Sequence, residues 1–388
     1  MHRIEELWSI YQNKFADTGL KKGAFSAPGR VNLIGEHTDY NEGFVLPMAI
    51  NKGIFMLGQL RKDRMVKVYS IDYDHLLTFQ LEELTFDQEN IWVNYIKGII
   101  AQYRKSGYDL TGVNIVFTGN IPQGAGLSSS AALEVVTAYL LASLHEIKMS
   151  AVEMALLCQR AEREFVGVNC GIMDQYIAVM GQADHALMID CRSNQAQPVP
   201  LSDQGYSIVI CNSKVKRELV DSAYNQRRNE CFQAVTYFQQ KLKGPVKALR
   251  DVNLVELQAA AADLTEQVFR RCRHVITENE RVLQAVTALR ANDFPEFGQL
   301  MIASHLSLRD DYEVSCRELD CLVELALEKK GVLGARMTGA GFGGCTVNLL
   351  KENRVEAFVK QIKAEYQEKT GLVPEIYCSA PSNGAGKL

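Results

Sequence analysis

The sequence predicts an α+β fold divided into two domains. At 388 residues the chain is longer than a single hydrophobic core usually supports. Runs typical of strands and runs typical of helices occur in both halves, which favours an α+β fold over a doubly wound parallel sheet. A polar stretch with two prolines, residues 193–204, separates the halves. We therefore expect one domain at residues 1–200 and a second at residues 201–388.

Hydrophobic periodicity predicts the elements of the first half in order. The chain begins with a charged amphipathic segment that predicts a helix and lacks the apolar region of a secretion signal. Strands and helices then alternate. The predicted strands are 50–60, 65–71, 113–118 and 183–190, and the predicted helices are 91–105, 128–145 and 151–166.

The second half repeats this mixture with longer helices. A strand at 206–212 comes first, directly after the polar stretch. The remaining predictions are helices at 222–243, 264–290 and 355–370, and strands at 344–350 and 375–379.

Composition excludes several classes of protein. Lys plus Arg total 42 against 46 Asp plus Glu, a net charge of −4, which argues against a nucleic-acid binder. An apolar run of about 18 residues, the length that spans a membrane, does not occur. The ten cysteines include no CxxC pair, which argues against zinc, and Cys211 and Cys378 are predicted to be small buried hydrophobes. We expect a cytoplasmic protein with reduced thiols.

The first chemical motif is Pro-Gly-Arg-Val-Asn-Leu-Ile-Gly-Glu-His-Thr-Asp-Tyr-Asn at residues 28–41. It places Arg30, Glu36, His37 and Asp39 within ten residues. Each ionisable side chain in such a loop must be solvated or paired. A site that hydrogen-bonds a polyol and faces a phosphate uses this mixture, so we favour a binding site over a solvated loop.

The second motif, Ile-Pro-Gln-Gly-Ala-Gly-Leu-Ser-Ser-Ser-Ala-Ala-Leu-Glu at residues 121–134, follows a predicted strand and opens a helix. Gly124 and Gly126 let the backbone approach a ligand, and the start of a helix favours an anion. Ser130 could place its hydroxyl on a phosphate-bound Mg²⁺. An ordinary glycine turn with a serine N-cap is the alternative. The lysine of a Walker A loop is missing, which excludes the P-loop class.

Other candidates are weaker when taken alone. Glycines at 339, 341, 343 and 344 predict a plain turn or bulge before a strand. Glu162 has charged neighbours, which favours a solvated helix face. Asp174 lies among apolar residues and is either a helix cap or a functional carboxylate. Four histidines are expected to be structural: His75, His145, His185 and His274.

The second motif resembles the nucleotide loop of the GHMP small-molecule kinases. The first motif resembles the signature of the galactokinases, one family within that group. Further similar segments follow in the family's order, so the resemblance covers essentially the whole chain. These segments are 169–175, 212–231, 273–279, 304–313 and 337–345.

The resemblance implies a fold and a reaction. The fold is the two-domain GHMP kinase, with an N-terminal domain like ribosomal protein S5 domain 2 and a ferredoxin-like C-terminal domain. The active site lies in the cleft between them, where the γ-phosphoryl of ATP passes to the C1 hydroxyl of α-D-galactose. Mg²⁺ is the implied cofactor, the substrates are galactose and ATP, and we expect a monomer.

The resemblance also implies roles for individual residues. Asp174 is the catalytic base and Arg30 its partner, while Ser130 and Glu162 hold Mg²⁺. For Ser70 and Trp92, implied near the adenine, a core or surface role stays open. The implied sugar-binding residues are Glu36, His37, Thr38, Asp39, Gly171 and Tyr224, and the nucleotide-binding residues are Ser70, Trp92, Gly124, Ala125, Gly126, Leu127, Ser128, Ser129 and Ser130.

Two alternatives remain. A related kinase for another substrate, such as N-acetylgalactosamine or mevalonate, would keep the phosphate loop. The complete first motif argues against mevalonate and less strongly against the acetylated sugar. A galactose-sensing regulatory protein would resemble the fungal inducers derived from galactokinases, whose serine–alanine stretch is shortened. Residues 128–132, Ser-Ser-Ser-Ala-Ala, are unbroken here, which favours catalysis.

Overall fold

The computed structural model describes residues 2–122, 124–201, 205–215 and 220–388. In chain order the first half holds α1 (His2–Lys14), β1 (Lys22–Asn32), β2 (Phe44–Val45), β3 (Pro47–Leu60), β4 (Met65–Ser70), β5 (His75–Gln80), α2 (Ile91–Lys105), β6 (Val113–Gly119), α3 (Ser129–Leu144), α4 (Ala151–Ala161), α5 (Met173–Met180), β7 (His185–Asp190) and β8 (Gln195–Pro200).

The second half follows with a higher helical content. Its elements are β9 (Tyr206–Asn212), α6 (Val220–Lys241), α7 (Leu254–Ala259), α8 (Glu266–Arg290), α9 (Phe294–Asp310), α10 (Arg317–Leu327), β10 (Val332–Thr338), β11 (Cys345–Lys351), α11 (Val355–Thr370), β12 (Glu375–Ser379) and β13 (Gly386–Lys387). Of these elements the sequence analysis did not predict α7, α9, α10, β10 and β13.

The first sheet runs in the order β13-β1-β3-β6-β4-β5. Its pairs are antiparallel except for β4 and β6, which run parallel. Helix α3 is apolar around most of its circumference and packs against β1 and β3. A Cβ at Gly58 would lie 2.7 Å from Leu140 of this helix, so the glycine permits the close approach. This packing fixes where the start of α3 meets the end of β1.

A smaller sheet has the order β2-β7-β8. The polar stretch 193–204, predicted to separate the halves, contains β8, which pairs antiparallel with β7, with Pro198 opposite Leu187. Prolines are tolerated because β8 is an edge strand, where a missing N–H leaves no ladder bond unmade. Residues 202–204 lie outside the described part of the chain.

The sheet of the second half is antiparallel in the order β10-β11-β9-β12. Helices α10 and α11 cover it, and Cys211 is buried between sheet and helices as predicted. Cys378 is exposed, which contradicts the prediction, because β12 is the edge strand and this residue faces outward.

The two halves share buried side chains. Ile208, Ile210 and Val347 of the second half belong to the same apolar cluster as Phe25 and Val31 of β1. The last strand, β13, returns to pair with β1. The range 201–388 therefore includes a terminal strand that belongs to the first sheet, and the boundary at residue 200 stays a prediction. Within the described residues, no helix is both long and apolar enough to cross a membrane.

Candidate active site

Arg30 joins three segments of the first half. It stands near the end of β1 and is 6% exposed. Its Nε and Nη2 atoms each donate to one carboxylate oxygen of Asp174 at 2.7 Å, a bidentate charged pair. Its Nη1 atom donates to the Gly126 carbonyl at 2.7 Å. Because Asp174 lies in the first turn of α5, one guanidinium connects β1, α5 and the glycine loop before α3.

The glycine loop turns through three left-handed residues: Gly124 (φ 68°), Gly126 (φ 75°) and Ser128 (φ 59°). A serine in this conformation is strained, and such strain persists where the surroundings impose it, often at functional sites. Ser128 precedes α3 but makes no side-chain capping bond. Its hydroxyl donates to Asp174 Oδ2 at 2.5 Å instead. An ordinary serine cap therefore does not describe this loop.

Two cavities meet at the Arg30–Asp174 pair. We call the smaller one, about 200 Å³, the carboxylate cavity and the larger one, about 660 Å³, the glycine-loop cavity. Arg30, Asp174 and Ala340 line both. The carboxylate cavity is further lined by Glu36, His37, Asp39, Tyr40, Glu162, Gly171, Tyr224 and Gly339, and the glycine-loop cavity by Gly124, Gly126, Leu127, Ser128, Ser129, Ser130, Asn212 and Lys214.

Asp39 projects from the signature loop, residues 35–44, beside Gly171. A Cβ at Gly171 would lie 1.6 Å from Asp39 Oδ2, so the glycine provides the space for this carboxylate. Burial and, next, the neighbouring Asp174 charge raise the pKa of Asp39 to about 6, against the lowering effect of the hydrogen bond from the Tyr40 amide. The two carboxylates thus face one cavity from opposite segments.

Glu36 lies in the same loop, but most hydrogen-bond donors to its carboxylate come from the second half of the chain. Oε1 accepts from Gly339 N at 2.6 Å and Thr338 Oγ1 at 3.1 Å, and Oε2 accepts from Arg336 Nη1 at 3.3 Å. Asn32 Nδ2 also donates to Oε2. Burial raises the pKa of Glu36, against the effect of Arg336. A sugar hydroxyl would have to share this carboxylate with four protein donors.

His37 lines the carboxylate cavity with both ring nitrogens engaged. Burial lowers its pKa to about 3, so the ring is neutral. Nε2 donates to the Ala340 carbonyl at 3.2 Å, and Nδ1 accepts from the Tyr40 hydroxyl at 2.8 Å. Tyr224 packs near both rings, with centroids 5.7 Å from His37 and 5.3 Å from Tyr40. A sugar hydroxyl would reach His37 only in place of one of these partners.

Thr38 braces the signature loop. The Thr38 hydroxyl lies 2.8 Å from the Gly35 carbonyl and 2.6 Å from the Phe44 carbonyl, at the two ends of the loop. It is buried and lines neither cavity. The structure therefore gives the Thr38 hydroxyl a structural position, and the implied sugar contact stays a prediction.

Glu162 is buried, which overturns the solvated-face alternative. The helix predicted at 151–166 ends as α-helix at Ala161, and Glu162–Val166 form a π-helical turn that carries the side chain inward. Gln175 Nε2 donates to Oε2 of Glu162 at 2.5 Å and to Oε2 of Glu134 at 3.0 Å. Burial raises the pKa of Glu162 to about 7, while hydrogen bonds from Cys170, Gln175 and Ser130 lower it.

These residues fit a divalent cation. Glu134 and Glu162 are both buried, neither forms an ion pair with Lys or Arg among the described residues, and Glu134 Oε1 has no hydrogen-bond partner there. Mg²⁺ usually takes one or two carboxylates and completes its shell with water and phosphate oxygens. Within the described ranges, no group of three or more His, Cys, Asp and Glu side chains forms a complete metal site. The donor set suits a cation shared with a phosphate.

The glycine loop of the second half lies against the first half. Gly339, Gly341, Gly343 and Gly344 all have positive φ, and a Cβ at Gly341 would lie 2.1 Å from the Val314 carbonyl. The next residue, Cys345, donates its Sγ proton to the Ala125 carbonyl at 3.1 Å. Ala125 itself is buried and lines neither cavity. The two glycine loops are therefore neighbours.

Ser70 and Trp92 both neighbour Phe117, and neither lines either cavity. Ser70 pairs with Phe117 across β4 and β6, and its buried hydroxyl has no hydrogen-bond partner among the described residues. The Trp92 ring lies 5.3 Å from Phe117 and stacks on Tyr73 at 6.0 Å, with an interplanar angle of 5°. Their implied place beside the adenine stays a prediction.

Comparison with known families places these segments in a recognised order. Residues 9–60 match the galactokinase galactose-binding signature, residues 94–182 the GHMP kinases N-terminal domain and residues 285–368 the GHMP kinases C-terminal domain. The chain is 46% identical over 371 residues to a galactokinase of Clostridium acetobutylicum, covering 95% of each chain. It is 44% identical to a galactokinase of Fusobacterium nucleatum, covering 99% of this chain and 100% of the relative.

This chain belongs to the galactokinase family.

Solved structures agree with that assignment. Lactococcus lactis galactokinase complexed with galactose superposes with a TM-score of 0.95 at 38% identity, covering 99% of this chain and 100% of that one. A mevalonate kinase superposes with a TM-score of 0.65 at 18% identity, over 93% of this chain and 99% of that one, which shows a common fold. The predicted α+β GHMP kinase fold is confirmed.

Sequence reasoning missed several residues of this galactokinase-family site. Arg336 is fully buried against Glu36, and Glu134 faces Glu162. Both are charged residues inside otherwise apolar runs, which is a signal that could have found them. Lys214 lines the glycine-loop cavity and pairs with Glu375 at 3.0 Å. Nothing in its local sequence indicates that position.

We expect Gly171→Ala to weaken galactose binding at least about tenfold while the protein stays folded, because a methyl group there displaces Asp39. Gly244→Ala is the matched control, since a Cβ at Gly244 meets no atom within 4 Å. Calorimetric titration of galactose and thermal melting measure the two properties. Unchanged affinity in Gly171→Ala would show that Asp39 does not depend on this space.

Galactose affinity should also depend on pH. Above pH 6 Asp39 is ionised and accepts hydrogen bonds strongly, and below pH 6 it gains a proton. One protonation with a pKa of about 6 weakens binding about tenfold between pH 7 and pH 5. His37, with a pKa of about 3, stays neutral over this range. Titrations at both pH values test the expectation. Asp39→Asn should bind weakly and with less pH dependence than the wild type, and the pH dependence that is left belongs to Glu162, whose pKa is about 7.

Proposed function

We propose that this chain transfers the γ-phosphoryl of ATP to the C1 hydroxyl of α-D-galactose, which gives galactose 1-phosphate and ADP. The observation that carries the proposal is that Arg30 and Asp174 line both cavities. A sugar in the carboxylate cavity and a triphosphate in the glycine-loop cavity would meet at this pair. Membership of the galactokinase family supports galactose as the sugar.

Asp174 is the proposed proton acceptor. Its carboxylate faces both cavities from the start of α5. As the C1 oxygen attacks the γ-phosphorus, its proton passes to Asp174. Transfer through a loose transition state requires mainly positioning and charge stabilisation. Three donors hold the Asp174 carboxylate in place: Arg30 Nε, Arg30 Nη2 and Ser128 Oγ.

Arg30 and the glycine loop stabilise charge. Arg30 is planar and permanently charged, and it would offset negative charge on the transferring group while it keeps Asp174 aligned. Residues 124–130 present the backbone of a tight loop and the start of α3 to the phosphates. Orientation of the two substrates is thus supplied by rigid elements instead of mobile side chains.

Ser130 and Glu162 are the proposed Mg²⁺ ligands, with Glu134 nearby. When bound, the ion neutralises phosphate charge and orients the phosphate oxygens. Gln175 Nε2 donates to the carboxylates of both Glu162 and Glu134, and this shared donor orients Glu162 beside Glu134. The chain's own task here is to hold the Glu162 oxygens in one direction before the nucleotide arrives.

In this proposal Asp39, Tyr224 and the Gly171 backbone hydrogen-bond the sugar hydroxyls, and Glu36 and His37 lie behind these groups. Burial raises the pKa of the Tyr224 phenol well above its usual value, so it stays a donor. Galactose and glucose differ only in the orientation of the C4 hydroxyl. A site built to hydrogen-bond one hydroxyl can lower kcat/KM for a sugar that misplaces that hydroxyl by on the order of 10⁴. We therefore expect galactose to be preferred to glucose at least about a thousandfold.

A coupled assay of ADP release with galactose, N-acetylgalactosamine, glucose and no sugar tests this function. Turnover with galactose above all other conditions is the expected result. Comparable kcat/KM for glucose and galactose would refute selection of the C4 hydroxyl. Faster turnover with N-acetylgalactosamine would identify the acetylated sugar as the substrate, and ADP release independent of sugar would refute a sugar kinase.

We expect Asp174→Asn to fold and bind galactose but to lose about 10²–10⁴ of kcat, the usual contribution of a positioned base. Asp190→Asn is the matched control, because Asp190 also pairs with an arginine, Arg250, through both oxygens but lines neither cavity. Retention of more than half the wild-type kcat in Asp174→Asn would remove this carboxylate from the mechanism.

Ser130→Ala and Glu162→Ala should each raise the Mg²⁺ concentration needed for half-maximal rate. If both side chains bind one ion, the double variant should lose less free energy than the sum of the single variants. Steady-state rates over a Mg²⁺ titration, with the four proteins of the cycle, measure the coupling. Additive losses with unchanged Mg²⁺ dependence would contradict a shared site.

A further inference from the structure

Helix α8 contacts the signature loop at both ends without lining either cavity. At one end, Glu278 Oε1 accepts from the Gly35 amide at 2.8 Å. At the other end, the next residue, Asn279, accepts from the Phe44 amide through Oδ1 at 2.9 Å. Two adjacent side chains of one helix thus hold the two ends of the loop that carries Asp39.

The Glu278 contact is rigid. The side chain is fully buried, and Oε1 also accepts from Ser304 Oγ at 2.6 Å on α9. Arg281 donates to Oε2 at 2.7 Å. Burial raises the pKa of Glu278, but the charges of Arg281 and Arg336 lower it to about 2, so the carboxylate stays charged. Because Ser304 and Arg281 hold the charged carboxylate in place, the Gly35 amide that donates to it is also held in one position.

The Asn279 contact is close and costly. A Cβ at Gly43 would lie 2.3 Å from Asn279 Oδ1, so the loop approaches the helix only because residue 43 is glycine. Asn279 Nδ2 is buried and has no hydrogen-bond partner among the described residues. A buried amide with half its bonding capacity unused is unfavourable for stability. The hydrogen-bonding capacity that Asn279 does use is the acceptor Oδ1, which bonds the Phe44 amide.

His274, one turn earlier on α8, adds a third contact. Its Nε2 donates to the Glu36 carbonyl at 3.1 Å, and its Nδ1 accepts from Ser307 Oγ at 2.9 Å. Burial lowers the pKa of His274 to about 4, so the ring is neutral and this pattern of one donor and one acceptor is maintained. The expectation of a structural histidine is consistent with this position.

We propose that His274, Glu278 and Asn279 are positioning residues that set galactose affinity by fixing the backbone of the signature loop. The proposal rests on the proposed function, because it takes galactose as the ligand of the carboxylate cavity. Between the anchored ends, Thr38 closes the loop internally, so displacement of one end moves the whole loop. Asp39 then loses its register against Gly171 and Asp174.

Asn279→Leu tests the proposal, since leucine has the same branch point and the same number of side-chain heavy atoms as asparagine and removes the acceptor. Asn279→Asp is the conservative variant, because its carboxylate still accepts from the Phe44 amide. Asn348→Leu is the matched control: Asn348 is also buried, also bonds one backbone group, the Val209 carbonyl, and has an unpartnered Oδ1 among the described residues. It lies in the middle of β11 and lines neither cavity.

Calorimetric galactose titration, KM for galactose and ATP, and thermal melting are the measurements. We expect Asn279→Leu to raise the galactose Kd and KM about tenfold or more, as misplacement of a binding group does. KM for ATP should change less than about twofold, and Asn279→Asp should restore most of the galactose affinity. Asn348→Leu should lower the melting temperature without a change in galactose Kd.

Other outcomes overturn the proposal. Asn279→Leu with lowered stability but wild-type galactose Kd would make Asn279 a purely structural residue, and an equal rise of both KM values would exclude an effect confined to the signature loop. If Asn279→Leu does not fold, Ser304→Ala takes its place. This variant removes one donor to Glu278 Oε1, and galactose Kd, both KM values and thermal melting are measured in the same way. Wild-type protein that neither binds nor phosphorylates galactose would instead refute the proposed function, and this proposal with it.

Discussion

The site depends on the ion pair between Arg30 and Asp174. All three nitrogens of the Arg30 guanidinium donate hydrogen bonds, two of them to the oxygens of Asp174 and one to the Gly126 carbonyl. A buried arginine requires such complete pairing, since an unpaired charge in this position would be strongly destabilising. The end of β1, the start of α5 and the glycine loop are therefore held at fixed distances, and the two cavities meet where these segments meet.

The second half completes the site from the opposite side. Arg336 and the Gly339 amide engage the Glu36 carboxylate, and the Ala340 carbonyl engages His37. Side chains that look like sugar ligands in the sequence therefore also serve as connections between the halves. This double use explains why the signature is so dense in ionisable residues: some contact the cavity, and some hold the loop that forms it.

Negative charge is concentrated around the cavities. Asp39, Asp174, Glu134 and Glu162 lie near one another, and burial raises the pKa of Asp39, Glu134 and Glu162. Arg30 neutralises one of these groups. A divalent cation and hydrogen-bond donors from a polyol would offset the cost of burying the remaining carboxylates.

The sequence alone determined the fold class, the glycine loops and most helices and strands, because hydrophobic periodicity and glycine positions act on local backbone conformation. The helices α2 and α11 and the strands β9 and β12 have the predicted bounds. The sequence also predicted the Arg30, Asp174 and glycine-loop constellation, through family resemblance. Only the tertiary structure decided which side of a helix Glu162 occupies, that residues 195–200 pair as a strand and that Arg336 meets Glu36. These outcomes depend on packing between segments distant in sequence, and a local pattern contains no information about which distant surface will cover it.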